Sequence, residues 1–289
     1  MRVGPYYIRR GVDIFIAFEN FHIFKSSFEK SEIFLNFLEI KMVNLDAAGT
    51  PNLQFAETLN QIKTIPQEPS VRYRGLLLND PGAPIAKFKT RFEVRNEDCL
   101  DACVRLCALA TGSVGLLNMA SDLRPGGGVL TGAKAQEEDI CRRTTLYPTL
   151  AVQSYPLAPD ELIFTPNVQI LGAAPPGCRI QVVSAAAVRR PKLAWNGTYM
   201  LADLHLMRKK VQMVLETFEY HGVDHLVLGA WGCGAFRNPP EEVAQIFYDA
   251  LMGPRFAGRF KHVAFAITTG KPNEDANMRA FDKAFRGLE

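Results

Sequence analysis

The chain has 289 residues, with 33 Lys plus Arg against 30 Asp plus Glu, a net charge of +3 and 47% hydrophobic residues. These values exclude a disordered, collagen-like or coiled-coil chain, and so small a charge gives no argument for a nucleic-acid or membrane-surface binder. No apolar run approaches the roughly 20 residues that a membrane-spanning helix needs, and the length is ample for one large core.

Residues 1–41 differ in composition from the rest of the chain. They hold seven of the 19 Phe: Phe15, Phe18, Phe21, Phe24, Phe28, Phe34 and Phe37. Asp13, Glu19 and Lys25 interrupt any signal-peptide core. Met42 comes directly afterwards and composition then becomes ordinary. Residues 1–41 are therefore read as an atypical Phe-rich extension outside the fold, Met42 as an alternative start, and 42–289 as the folded domain.

Residues 51–65 place Leu53, Ala56, Leu59 and Ile62 on one side, as a helix does. RFEVR at 91–95 alternates in the strand manner. Asn96 or Asp98 is positioned to cap a helix over 98–110. Cys99, Cys103 and Cys107 recur every four residues within it. A thiol stripe along one helix cannot surround an ion, so these are read as small buried hydrophobes. The chain has no CxxC pair, and zinc is not expected.

GSVGLLNMA fits a buried strand ending near Asn118. A glycine-rich stretch comes next, then a helix from about Ala133. Residues 161–171 and 179–187 read as strands and 198–221 as a long helix. HLVLGAWGCGAF (225–236) runs from a strand into a second glycine loop. Pro239 and Pro240, followed by acids, open another helix. HVAFAITT is a strand and 273–286 a closing helix. This order implies an α/β sandwich around a mixed, largely buried sheet.

Both glycine loops lie at the carboxyl ends of predicted strands, where open α/β sheets bind ligands. Gly126, Gly127 and Gly128 form the first. Gly229, Gly232 and Gly234, around Ala230, Trp231 and Cys233, form the second. Glycines permit positive φ and close backbone approach, and clustered N–H groups attract anions. Neither loop matches GxxxxGK[ST] or GxGxxG. Two neutral cradles suit a diphosphate held mainly by amides. Gln136, Glu137 and Glu138 come after the first loop. Two adjacent acids at a helix start can simply complement its dipole; adjacent helical positions diverge by about 100°, so the two carboxylates cannot perform identical tasks, and one can reach a scissile bond while the other holds a sugar hydroxyl.

The GGG, seven residues, then QEE pattern resembles the signature of poly(ADP-ribose) glycohydrolases. NMASDLRPGGG resembles the ADP-ribose-binding loop of macrodomains, and GAWGCGAF is similar to their second, diphosphate-wrapping loop. With ETL near the start and TPNV after the QEE helix, the pattern from Asn52 to Phe285 resembles the microbial-type branch, so 42–289 is read as its catalytic domain. The resemblance implies a macrodomain-like three-layer α/β/α sandwich. Glu138 matches the catalytic acid/base and Glu137 the acid holding the ribose beside the scissile bond, with Gln136 supporting the pair. Asn118 matches the Asn that contacts the distal ribose. Gly126, Gly127, Gly128 and Val129 match the catalytic loop. Gly229, Ala230, Trp231, Gly232, Cys233, Gly234, Ala235 and Phe236 match the diphosphate loop, with Phe236 packing on the ribose. The long aromatic clasp of animal glycohydrolases is not evident.

The implied reaction is hydrolysis of ribose–ribose O-glycosidic bonds in poly(ADP-ribose), releasing ADP-ribose. No metal or redox cofactor is expected. The expected partner is polymer or ADP-ribosylated protein, with no membrane or sequence-specific nucleic acid, and the protein is expected to be a monomer located inside the cell. Two alternatives remain at this point: a non-catalytic ADP-ribose reader, and removal of single ADP-ribose units from proteins.

Overall fold

The computed structural model describes residues 53–76, 86–109, 112–172, 174, 178–270 and 272–288. The Phe-rich segment 1–41 lies outside the described residues. Among the described residues seven strands form one sheet: β1 (Val71–Arg74), β2 (Arg91–Arg95), β3 (Val114–Met119), β4 (Glu161–Gln169), β5 (Arg179–Ala185), β6 (His225–Leu228) and β7 (His262–Ala266). Their order is β1-β4-β5-β3-β6-β7-β2. The run from β5 through β3, β6 and β7 to β2 is parallel. β4 is antiparallel to both β1 and β5, so the sheet is mixed, as expected.

Among the described residues seven α-helices accompany it: α1 (Leu53–Ile62), α2 (Cys99–Leu109), α3 (Gln136–Arg143), α4 (Leu146–Ala151), α5 (Leu201–Tyr220), α6 (Pro240–Met252) and α7 (Pro272–Phe285). The strands alternate their side chains between two apolar layers. Leu116, Val182, Val227 and Ala264 face one cluster with Leu100, Cys103 and Leu106 of α2 and Ile140 of α3. Their chain neighbours Leu117, Val183, Leu226, Val263 and Phe265 face the other, with Val211 and Val214 of α5, Phe247 of α6 and Phe281 of α7. A sheet buried on both faces between helices is the three-layer α/β/α sandwich of the macrodomain type. Among the described residues no helix is long and apolar enough to cross a membrane.

Two departures from the sequence reading concern the helix after the first glycine loop and the first strand. The expected helix from Ala133 begins at Gln136 and is split in two. Thr144 is extended between α3 and α4 and bridges Ile170. The end of β4 cuts into the chain there: Thr145 N–H donates to Gln169 O at 3.1 Å and Leu171 N–H to Arg143 O at 2.8 Å. The Thr144 hydroxyl donates to Ile140 O at 2.8 Å, which closes off α3. β1 has no counterpart in the sequence reading. It is a short edge strand of alternating basic residues, tied to β4 by Arg72 and Glu161 at 2.9 Å.

Asp98, one of the two expected caps, takes the N-terminus of α2, accepting from Leu100 N–H at 2.9 Å. Arg143, at the end of α3, also donates to Asp98 Oδ1 at 2.9 Å, to Asp139 at 2.9 Å and to Asp101 at 3.1 Å. Opposed helix termini are thereby pinned through charges that each dipole favours. Phe55, Leu59 and Ile62 of α1 pack on Val129, Cys141 and Tyr147, which backs α3 from outside the sandwich.

Candidate active site

A cleft of about 1010 Å³ opens at the carboxyl ends of β3, β6 and β7. Its walls are the segment after β3, the first turn of α3 and the loop after β6. Parallel strands diverge at this edge, and loops rather than side-chain layers must cover it.

The helix α3 is aligned to the sheet by Gln136. Its Oε1 accepts from Met119 N–H at 2.8 Å, and its Nε2 donates to Leu117 O at 2.9 Å. β6 pairs with β3 only as far as Leu116, so these two backbone groups would otherwise face the cleft unpaired. The next two residues carry the acids. Glu137 Oε2 accepts from Ser121 N–H at 2.7 Å, and Glu138 Oε1 accepts from Gly128 N–H at 2.7 Å. Each carboxyl therefore has one oxygen fixed by the loop after β3. The other oxygen of each, Glu137 Oε1 and Glu138 Oε2, is buried without a hydrogen-bond partner among the described residues. The Glu137 and Glu138 residues are only 4% and 7% exposed, yet both line the cleft.

Burial pushes the Glu137 carboxyl up to about 8, and the Glu138 charge adds to the shift. The Ser121 N–H opposes it, with smaller help from Asn118 and the Gly126 backbone. The Glu137 carboxyl therefore holds its proton at neutral pH. This fixes the sign of the effect on stability. A folded-state value raised above the ordinary 4.5 favours folding fully below pH ~4.5, and that contribution is lost as pH rises through about 8. Glu137→Gln cannot ionise. We predict that its melting temperature matches the native chain below pH ~4.5 and exceeds it above pH ~8, by a stability difference on the order of a few kcal/mol. Parallel melting curves across that range test this; identical pH dependence in the two proteins would show that Glu137 carries no raised value.

The two glycine loops, both read from the sequence as neutral cradles, differ in kind. In the first, the N–H groups of Ser121 and Gly128 serve the carboxyls, and those of Gly127 and Val129 close turns onto Arg124 and Gly126. In the second, Trp231 N–H donates to Gly229 O and Cys233 N–H to Ala230 O. The N–H groups of Gly232, Gly234, Ala235 and Phe236 have no hydrogen-bond acceptor among the described residues. Four such donors in a turn form an anion cradle.

The glycines are also required mostly from within. Gly127 has φ +56°, and a Cβ there would overlap Glu138 Oε1 and lie 2.9 Å from Glu137 Oε2. At Gly232, φ is +77°, and a Cβ would meet Ala187 Cβ and Asn238 Nδ2, both at 2.5 Å. Among the described glycines of the two loops, Gly234 alone would carry a Cβ that meets nothing within 4 Å.

Several expected residues stand elsewhere than on the cleft wall. Asn118 is 0% exposed, and its Nδ2 donates to Ser184 Oγ at 3.0 Å. Its Oδ1 is buried without a partner among the described residues. Val129 is buried against α1. A Cβ at Gly126 would face Tyr147 and one at Gly229 would face Met119. Neither these residues nor Cys233 line the cleft. Trp231 touches it, but its indole is buried on Phe247 and donates to Ala185 O at 3.1 Å.

Arg189 was missed by sequence reasoning. Its guanidinium lies 4.1 Å from the Phe236 ring centroid and pairs with Asp122. It thereby links the segment after β3 to the second glycine loop across the cleft. An arginine after a strand carries no signal of this kind. Ser121, by contrast, lies inside the SDLRPGGG run, but its role is played by the backbone, which sequence does not display.

A three-layer sandwich with an anion cradle facing two buried acids across a strand-end cleft is a macrodomain-type site for an ADP-ribose-like ligand. Residues 73–172 match the family model described as microbial-type PARG, catalytic domain. The fold is similar to the crystal structure of poly(ADP-ribose) glycohydrolase from Deinococcus radiodurans in complex with ADP-ribose, at 32% identity over 71% of this chain and 87% of that one, TM-score 0.60. It is also similar to the enzyme from Thermomonospora curvata, at 29% identity over 89% and 100%, TM-score 0.63. The Thermomonospora enzyme bound to the inhibitor ADP-HPD matches at 28% identity over 89% and 100%, TM-score 0.61. No curated protein sequence matches the chain. The chain belongs to the microbial-type poly(ADP-ribose) glycohydrolase family.

Proposed function

We infer that the protein hydrolyses the ribose–ribose O-glycosidic bonds of poly(ADP-ribose) and releases ADP-ribose, with Glu138 as general acid/base and Glu137 as the group that holds the adjacent ribose. One observation carries this: two neighbouring buried carboxyls, each anchored through one oxygen, each with its second oxygen unpartnered beside the same cleft. Buried acceptors left without donors are costly, and sugar hydroxyls are the donors that satisfy them.

The diphosphate sits on the N–H groups between Gly232 and Phe236. This fixes the sugar against α3 and lowers the entropic part of the barrier. Phe236, held by Arg189, packs on the ribose, and Asn118 buttresses the Glu137 side. Glu138 donates its proton to the leaving ribose oxygen as the glycosidic C–O bond breaks through an oxocarbenium-like transition state. The resulting carboxylate takes a proton from water, whose oxygen bonds to the anomeric carbon. The enzyme ends in its starting protonation state.

Incubation with an auto-modified ADP-ribose polymerase tests the reading. Free ADP-ribose is the expected product; polymer that is bound and left intact would make the protein a reader. We also propose that catalysis resides in residues 42–289. A chain beginning at Met42 should hydrolyse polymer at the full-length rate, and an insoluble or inactive product would place residues 1–41 within the fold.

A further inference from the structure

Trp195 is 99% exposed. Burying such a side chain is strongly favourable, so its indole offers a full face to a ligand. Its mount is a hairpin between β5 and α5. Leu193 bridges Tyr199, Ala194 N–H donates to Thr198 O at 2.8 Å, and Gly197 N–H donates to Ala194 O at 2.9 Å. Gly197 supplies the positive φ, +82°, that the tip needs.

The hairpin is fixed to the anion cradle. Arg190 N–H donates to Phe236 O at 2.8 Å. Tyr199 is buried, and its hydroxyl donates to Asn238 Oδ1 at 2.7 Å. Asn238 in turn donates to Gly232 O at 3.0 Å and Val188 O at 2.8 Å. Lys192 N–H donates to Asp203 on α5 at 2.7 Å. The root of the hairpin therefore cannot move without the loop that grips the diphosphate. Arg189, which lines the cleft, is six residues from Trp195, a span of at most about 20 Å. The exposed cations Arg190 and Lys192 lie between them.

We propose that Trp195 is a stacking platform for the adenine of the second ADP-ribose unit, the one whose ribose leaves the catalytic site, with Arg190 and Lys192 facing that unit's diphosphate. This rests on the polymer-hydrolase reading above. An exposed aromatic flanked by cations is the general means of holding a single-stranded nucleotide chain, because every base has a π-face. Trp195 is not among the residues that line the cleft, so on this proposal a lone ADP-ribose held there makes no contact with it.

The test compares Trp195→Ala and Trp195→Phe with the native full-length chain on free poly(ADP-ribose) of two to four units. Base stacking contributes roughly 1–3 kcal/mol, so Trp195→Ala should raise KM for these chains by about 5- to 160-fold. It should leave kcat, the Kd for monomeric ADP-ribose and the melting temperature unchanged, and Trp195→Phe should restore most of the loss. The protein has two Trp, and Trp231 is buried. In a Glu138→Gln background, short polymer should therefore quench the solvent-exposed emission of Trp195, and ADP-ribose should not. A native protein that cleaves polymer while Trp195→Ala keeps its KM overturns the platform alone. A native protein that releases no ADP-ribose overturns the function beneath it. An effect confined to protein-attached polymer assigns the hairpin to the carrier protein and also overturns base stacking.

Discussion

Glu138→Gln is expected to bind ADP-ribose as the native protein does and to lose hydrolysis by roughly 10²–10⁴-fold, the usual contribution of a positioned acid/base. Gln can keep the bond from Gly128 N–H, which reaches Glu138 Oε1 at 2.7 Å in the native protein, so the loop after β3 stays anchored. What it lacks is a proton that can leave and return. The substitution thereby separates positioning from chemistry, provided that both calorimetric affinity and release of ADP-ribose from polymer are measured. Near-native turnover would remove Glu138 from the acid/base role. Loss of affinity together with turnover would instead mark it as a binding group.

Gly127→Val should abolish hydrolysis for a different reason. The residue has φ +56°, a conformation that costs an L-residue roughly 1–2 kcal/mol, and a branched residue is the least suited to it. The larger effect is steric: its Cβ would enter the space of both carboxyls. Either the loop retreats and Glu138 loses its Gly128 donor, or the acids turn away from the cleft. We expect at least a 100-fold fall in rate, on the scale of a misplaced catalytic group, together with a lower melting temperature. Gly234→Val is the contrast. Its Cβ meets nothing within 4 Å, so the protein should melt normally while ADP-ribose binding weakens. If Gly127→Val hydrolyses polymer normally, the close packing of this loop on the acids is irrelevant to catalysis.

How much of this was legible depended on whether the cause was local. β2 coincides with the alternating RFEVR residue for residue, and Asp98 caps α2 because a side chain beside the first turn suffices. Pro240 opens α6 because its missing N–H costs nothing there. The end of α3 was not legible, because it is set by Gln169 and Ile170 of a distant strand. In the cleft, the QEE acids and both glycine runs were visible as residue types. The division of labour between the loops was not, because it depends on which backbone N–H groups are already in use. Phe236 could be named from its motif, but Arg189 and Asp122, which hold it, meet only after the chain folds.

The amide of Gln136 behaves as one more peptide unit of the sheet. Where β6 turns away from β3, its oxygen and nitrogen take up the Met119 N–H and Leu117 C=O that a neighbouring strand would have used. The helix that carries the acids is thus docked as an extra rung on the ladder, with its position along the strand fixed at one site. Few other side chains can do this. Glutamate has the same length but offers only acceptors once ionised, so it would set a charge against the Leu117 carbonyl. Asparagine is one carbon short and would drag the helix toward the sheet. A change at Gln136 would therefore act through the position of α3, and so of Glu137 and Glu138, and not through the acids themselves.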